Sequence, residues 1–277
     1  MPRDPFPIRV AVDARPPTNL VPRGATRDVE VRVWGQGRTK VKGVLELTGA
    51  SDWTIEPRSQ RFTLDSDGLP VYERFTIVVT APDDAAVLAP QTIDATAIAD
   101  KSNGDDQAQA ATSITVEAVW RGDTVPLALD AGTPDSPVLE GYAPLTPEHT
   151  WDPTRGYGWL DPVPAARDRG EPDVLRRDLL FSAEVCTLRI VVPPGEHRAH
   201  LLTGDAHFQS SHTVVYVGGE RVAKTDRFLE AGEFAWLTFT LDGGDSGRTV
   251  DITLDGEGHE EYWRLGALVV TEAPSGS

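Results

Sequence analysis

The sequence is nearly devoid of cysteine: Cys186 stands alone, so no internal disulfide and no cysteine-based zinc cluster can form. It lies in the apolar run Val185-Cys186-Thr187-Leu188, where a buried thiol is expected rather than a nucleophile. No apolar stretch is long enough to span a bilayer, and the opening MPRDPFPIRV lacks the apolar segment of a secretory signal. The expectation is a soluble chain without an export signal of its own, secreted if it belongs to a larger exported protein and cytoplasmic otherwise. Positive charge is also scarce, with 26 basic residues against 43 acidic ones and a formal charge of −17. Such a chain repels a phosphate backbone or an anionic membrane, so neither nucleic acid nor membrane is an expected partner. The acidity itself reads as solubility or adaptation to salt. Only four of the basic residues are lysine, which fits a high-salt or a high-GC source.

What is present points to strands. At 277 residues the chain suits two domains, and its 25 glycines and 22 prolines separate apolar runs too short for long helices. Val29, Val31 and Val33 alternate with Asp28, Glu30 and Arg32, the period of a half-buried strand. Val41 to Leu47, Phe75-Ile77-Val79, Ile93-Ala95-Ala97 and Ile114-Val116-Ala118 repeat the pattern between turn-rich segments, among them Ser102-Asn103-Gly104-Asp105. About seven short strands within the first ~110 residues predict a β-sandwich. The polar connector Trp120-Arg121-Gly122-Asp123-Thr124 marks a boundary, giving domains over 1–120 and 126–277; its Arg-Gly-Asp triplet reads as a turn. Beyond it, strands are expected at 188–192, 198–203, 213–217, 236–241, 249–254 and 265–270, for which a jelly roll is the natural closure. The predicted fold class is all-β.

Two resemblances refine this. The order Trp53-Thr54-Ile55-Glu56-Pro57, Phe62-Thr63-Leu64 and Glu73 to Pro82 resembles the immunoglobulin-like domains appended to glycoside hydrolases, over roughly residues 8–119, and implies a spacer or docking domain without chemistry of its own. The second half resembles the galactose-binding-like domain of rhamnogalacturonan acetylesterase-type proteins and polysaccharide lyases. The likeness runs from Leu129-Asp130-Ala131-Gly132 through Gly141-Tyr142, Arg155-Gly156-Tyr157-Gly158-Trp159 and Leu201 to Asp205, and ends at Tyr262 to Val270. Gly266 stands where that family usually has Asn, and Leu129 and Ala131 where it has Phe. This likeness implies carbohydrate as ligand, with plant-cell-wall or acidic polysaccharide among the candidates, and a catalytic domain or subunit as partner.

Gly243-Gly244-Asp245-Ser246-Gly247 looks like a serine-protease nucleophile segment, yet it sits between two strands and reads as a hairpin turn. His197 and His200 fall on opposite faces of one strand and cannot share a metal, whereas a loop can bring His207 and His212 together; no transition metal is expected. The resemblance allows a structural calcium, for which Asp130, Asp173 and Asp178 are candidates; the same carboxylates can instead be solvated or paired with arginine. Sugar recognition needs an aromatic face with polar groups beside it. The candidate carbohydrate-binding residues are Trp151, Asp205, His207, Phe208, Gln209, His212, Tyr262 and Trp263, with Glu260 and Glu261 as further acceptors, whereas Tyr157, Trp159 and Trp236 are assigned to packing. The favoured reading is a non-catalytic carbohydrate-binding or accessory module. Its alternatives are a polysaccharide lyase or carbohydrate esterase working through His207, His212, Arg177 and Tyr262, and a structural subunit-interaction protein.

Overall fold

Alternating valines build the first sandwich. In the computed structural model, which describes residues 8–15, 18–37, 40–87, 89–100, 107–258 and 261–273, Val29, Val31 and Val33 are wholly buried while their neighbours face outward. The chain divides into two compact units, Met1–Val119 and Trp120–Ser277. The structure is all-β, and each unit is a β-sandwich; the second is a jelly roll.

One sheet of the first unit runs, edge to edge, through Arg9–Arg15 (β1), Thr26–Gln36 (β3), Val71–Thr80 (β7) and Thr54–Glu56 (β5). Its partner runs through Thr18–Pro22 (β2), Gln109–Val119 (β9), Gln91–Ala99 (β8), Lys40–Gly49 (β4) and Ser59–Asp65 (β6). The inward rows of both, from Val31 and Ile77 on one side to Leu45, Ile93 and Ile114 on the other, form one core with Trp53 and Phe62. The turn expected at 102–105 and the acceptor Glu260 lie outside the described residues.

In the second unit, one five-stranded sheet is ordered Ala143–Leu145 (β11), Leu127–Ala131 (β10), Ala267–Glu272 (β22), Glu196–Gly204 (β16) and Phe234–Asp242 (β19). The other is ordered Tyr157–Trp159 (β12), Cys186–Val192 (β15), Arg248–Asp255 (β20), Val214–Val217 (β17) and Glu220–Lys224 (β18). A three-stranded sheet of Ala165–Asp168 (β13), Asp178–Ser182 (β14) and Trp263–Leu265 (β21) adds Leu180 and Leu265 to the common core. Cys186 points into that core with Leu188 and Ile190, and burial pushes its thiol pKa up. His197 and His200 do face opposite ways. His197 is buried with its Nε2 near the Pro193 and Pro194 carbonyls, whereas His200 lies beside Thr238, Thr271 and the Trp120 ring.

The segment Gly243–Gly247 is not a hairpin. The strands it joins, β19 and β20, belong to different sheets, so it crosses from one layer of the sandwich to the other. Gly244 and Gly247 supply the positive φ angles of +66° and +79° that the crossing requires, and the Asp242 carboxylate accepts from the Gly244 amide at 2.8 Å. Ser246 is exposed on this crossing. Ser246→Ala is therefore expected to shift unfolding free energy by less than about 0.5 kcal/mol and to abolish no activity, as a urea titration and a hydrolase assay would show.

Candidate functional site

Chain direction at the end of β16 is set by a glycine. Gly204 has φ +142°, and a Cβ there would meet the Glu233 carbonyl oxygen at 2.4 Å, so only glycine fits before the chain leaves the sheet. Asp205 follows and is fully buried. Its carboxylate takes a two-pronged contact from Arg169, Nε to Oδ1 at 3.0 Å and Nη2 to Oδ2 at 2.7 Å. Oδ1 also accepts from the amides of His207 at 2.9 Å and Phe208 at 3.3 Å. A second guanidinium, from Arg264, approaches Oδ2 at 3.4 Å. Burial works against ionisation of Asp205, but Arg169, the His207 amide and Arg264 outweigh it and hold the carboxyl below its ordinary value.

The three-stranded sheet positions both cations. Arg169 directly follows β13, and Arg264 occupies the middle of β21, opposite Phe181 of β14 and out of phase with the inward Trp263 and Leu265. Thr213 secures this arrangement: its Oγ1 accepts from the Arg264 amide at 3.1 Å and pairs with Thr203 at 2.8 Å. One aromatic ring covers the ion triad and a second lies nearby. Phe208, 56% exposed, has the Arg169 guanidinium 4.6 Å from its ring centre. Tyr262, 42% exposed, lies 5.9 Å from the Phe181 ring, and its carbonyl accepts from Arg264 Nη1 at 3.3 Å. His207 Nε2 sits 2.9 Å from Glu171 at the rim, and Gln209 donates to Glu230 at 3.2 Å. The loop is stapled to the next segment by paired Ser210 and Leu229 amides and carbonyls.

The structure thus joins Asp205, His207, Phe208, Gln209 and Tyr262 in one region, with corrections. Trp263 cannot present a sugar-stacking face, because it is wholly buried beside Trp159 with its Nε1 donating to the Glu184 carbonyl at 2.8 Å. Asp205 is no free acceptor, its oxygens being occupied by two arginines and two amides. Trp151 packs beside Arg189 of β15, 5.8 Å from its guanidinium, rather than in the loop. His212 turns from His207 to Thr225, whose carbonyl oxygen lies 3.0 Å from Nδ1, and to the edge of Phe228. Of the set His207, His212, Arg177 and Tyr262, Arg177 is held by Asp168 at 2.8 and 3.0 Å and His207 by Glu171 at 2.9 Å. Arg169, Arg264, Glu171 and Phe181 also belong to the region, and no local sequence signal marks them as ligand residues.

The calcium candidates occupy another place. Asp130 is buried on β10, with Oδ2 accepting from the Leu139 amide at 2.7 Å and Oδ1 without a hydrogen-bond partner among the described residues. Burial above all, with Asp178 and Asp173 adding to it, pushes its pKa up to about 8 against the pull of the Leu139 amide. Asp178 is pushed up to about 6, chiefly by burial, and a Cβ on Gly132 would come within 1.8 Å of its Oδ2. Asp173 accepts from the Leu175 and Arg176 amides and from Arg176 Nε at 2.6 Å. Among the described residues no three His, Cys, Asp or Glu side chains form a group able to hold a metal ion, so these three carboxylates are not a joint donor set.

No family model matches the chain, and no curated protein matches it in sequence. It is similar in structure to the YXIM protein of Bacillus subtilis, at 15% identity and a TM-score of 0.41, over 53% of this chain and 40% of that one. A β-glucuronidase of Bacteroides uniformis aligns at 11% identity and 0.38, over 98% of this chain and 30% of that one. The extracellular domain of ANXUR2 from Arabidopsis thaliana aligns at 8% identity and 0.38, over 90% and 83%. The chain therefore spans less than half the length of the first two. These are likenesses of shape alone and say nothing of activity.

Proposed function

We propose that this chain is a non-catalytic carbohydrate-binding module, an immunoglobulin-like sandwich followed by a galactose-binding-like jelly roll, which serves a polysaccharide-degrading catalytic domain or subunit. The observation that supports it best is two exposed rings, Phe208 and Tyr262, carried next to the buried Asp205 carboxylate and its two arginines. A sugar ring offers an apolar face and a rim of hydroxyls. It is held by aromatic surface and by polar groups fixed in advance, because fixed groups lose little entropy on binding.

Phe208→Ala is expected to weaken binding of a glycan-array ligand by about 1–3 kcal/mol, the scale of a lost stacking contact, with little change in melting temperature. Trp151→Ala, beside Arg189, should leave affinity unchanged. Affinity electrophoresis of both variants checks this; full binding by the Phe208 variant contradicts the placement of the site, and turnover of polysaccharide by the unmodified chain contradicts its non-catalytic character.

A further inference from the structure

The outward side chains of the first unit's four-stranded sheet fall into rows set by strand register. Ala11, Trp34 and Tyr72 lie side by side across β1, β3 and β7; Asp13, Arg32 and Arg74 form the next outward row, and Arg15, Glu30 and Thr76 the one after it. Trp34 and Tyr72 have ring centres 4.5 Å apart, and Tyr72 is 42% exposed. The Arg32 and Arg74 guanidiniums lie 6.0 and 5.6 Å from the Tyr72 ring centre, and Arg74 Nη2 donates to the Tyr72 hydroxyl at 3.2 Å. Arg32 and Arg74 stand directly opposite each other, an unfavourable pairing of like charges, and both approach Glu30, at 2.5 and 3.7 Å. The core of this unit lies on the other face of the sheet, where Val29, Val31 and Val33 point. The opposite sheet provides a contrast: its central strands β8 and β9 turn Asp94, Thr96, Ser113 and Thr115 outward, all small or polar.

Tryptophan, tyrosine and arginine are the residues on which the binding energy of protein interfaces concentrates, whereas serine and threonine contribute little. The charges of the second and third rows also have an order. On β1 an acid precedes a base, Asp13 then Arg15, and beside them on β3 the signs are reversed, Arg32 then Glu30. A two-fold axis running across the strands between these rows sets each of these charges against its opposite: Arg32 faces Glu30 of a second copy, and Asp13 faces Arg15 of that copy. It also brings the crowded Arg32 and Arg74 a second carboxylate. Arg15, Arg32 and Arg74 against Asp13 and Glu30 leave the two rows at +1, in a chain whose formal charge is −17. Two such chains repel over most of their surface, so they can meet only where the negative excess is missing; beyond a screening length of about 8 Å the remaining repulsion is muted. We infer that the outer face of β1, β3 and β7 is a self-association surface, on which a second copy of this chain packs about a two-fold axis with Trp34 and Tyr72 as its aromatic anchors.

Sedimentation velocity of the full chain from about 1 to about 300 µM, at about 0.15 M salt, tests this, and a dimer forming within that range is expected. Tyr72→Ala should weaken it about tenfold. Arg32→Glu sets two carboxylates against each other across the axis and Glu30→Arg sets two guanidiniums, so each variant alone should be monomeric. Mixed in equal amounts the two variants should dimerise again, because each then faces its complement. The titration of the unmodified chain needs no variant and stands even if one of them folds poorly. A chain that stays monomeric throughout overturns the inference, and one that stays monomeric but sediments with added polyglutamate overturns it in favour of a dock for an acidic protein segment. A dimer indifferent to Tyr72→Ala and to both charge reversals overturns the assignment of the face. A mixture of the two charge variants that remains monomeric overturns the two-fold arrangement.

Discussion

Asp205→Ala should lower the unfolding free energy by about 3–5 kcal/mol, the largest loss expected from any single substitution of a polar residue here. Removing the carboxylate leaves two guanidiniums, each less than one-fifth exposed, without an anion, and frees the amides of His207 and Phe208. One unpaired buried charge is costly, and here there are two near each other. Asp65→Ala, which breaks the exposed Lys40–Asp65 pair at 3.7 Å, is the control and should cost less than about 1 kcal/mol. Urea titrations of the two variants decide the matter. Equal losses would mean that the triad contributes no more than a surface pair.

Stability should rise as pH falls from about 9 to about 5, opposite to the usual behaviour of paired carboxylates. Asp130 and Asp178 have folded-state values raised to about 8 and about 6, so the folded protein binds their protons more tightly than the unfolded chain does. Their stabilising effect is complete below the ordinary carboxylate range and is lost as pH climbs through the folded values. At about 1.4 kcal/mol per pH unit of difference, the Asp130 shift sets a ceiling on the order of 5 kcal/mol. Asp205, Asp168 and Asp251 are shifted the other way; they hold stability above the ordinary range and give it up as pH falls below about 4. The maximum should therefore lie near pH 4. Asp130→Asn keeps an oxygen for the Leu139 amide and removes the charge, so its midpoint should vary much less between pH 6 and 9. A wild-type midpoint that stays level or rises with pH over that interval would contradict the burial argument.

Legibility of the sequence followed the burial of one face. Val29, Val31 and Val33, or Leu188 and Ile190, announce their strands because every second residue enters a core. Ala165–Asp168 and Glu220–Lys224 escaped notice because they are short and only partly covered, so no alternation develops. Trp263 obeys the same rule: it shares its parity with the buried Leu265, while Tyr262 and Arg264 take the outward positions, a difference that adjacency in the sequence does not reveal. The loop at Asp205 could be marked as irregular. Its content could not be read, because Arg169 and Asp205 are 36 residues apart and meet only through the pairing of three strands. The same limit applies to Gly243–Gly247, where glycine chemistry announced a turn but not which two sheets it would connect.

Cys186 gives the second unit an internal clock. The chain's one thiol sits with no exposed surface among Leu188, Ile190 and Val192. A thiol reagent added to the native protein has nothing to modify until β15 separates from its neighbours. The labelling rate thus counts openings of the jelly roll, unit-specifically and without an engineered probe, while the first sandwich contributes no signal at all.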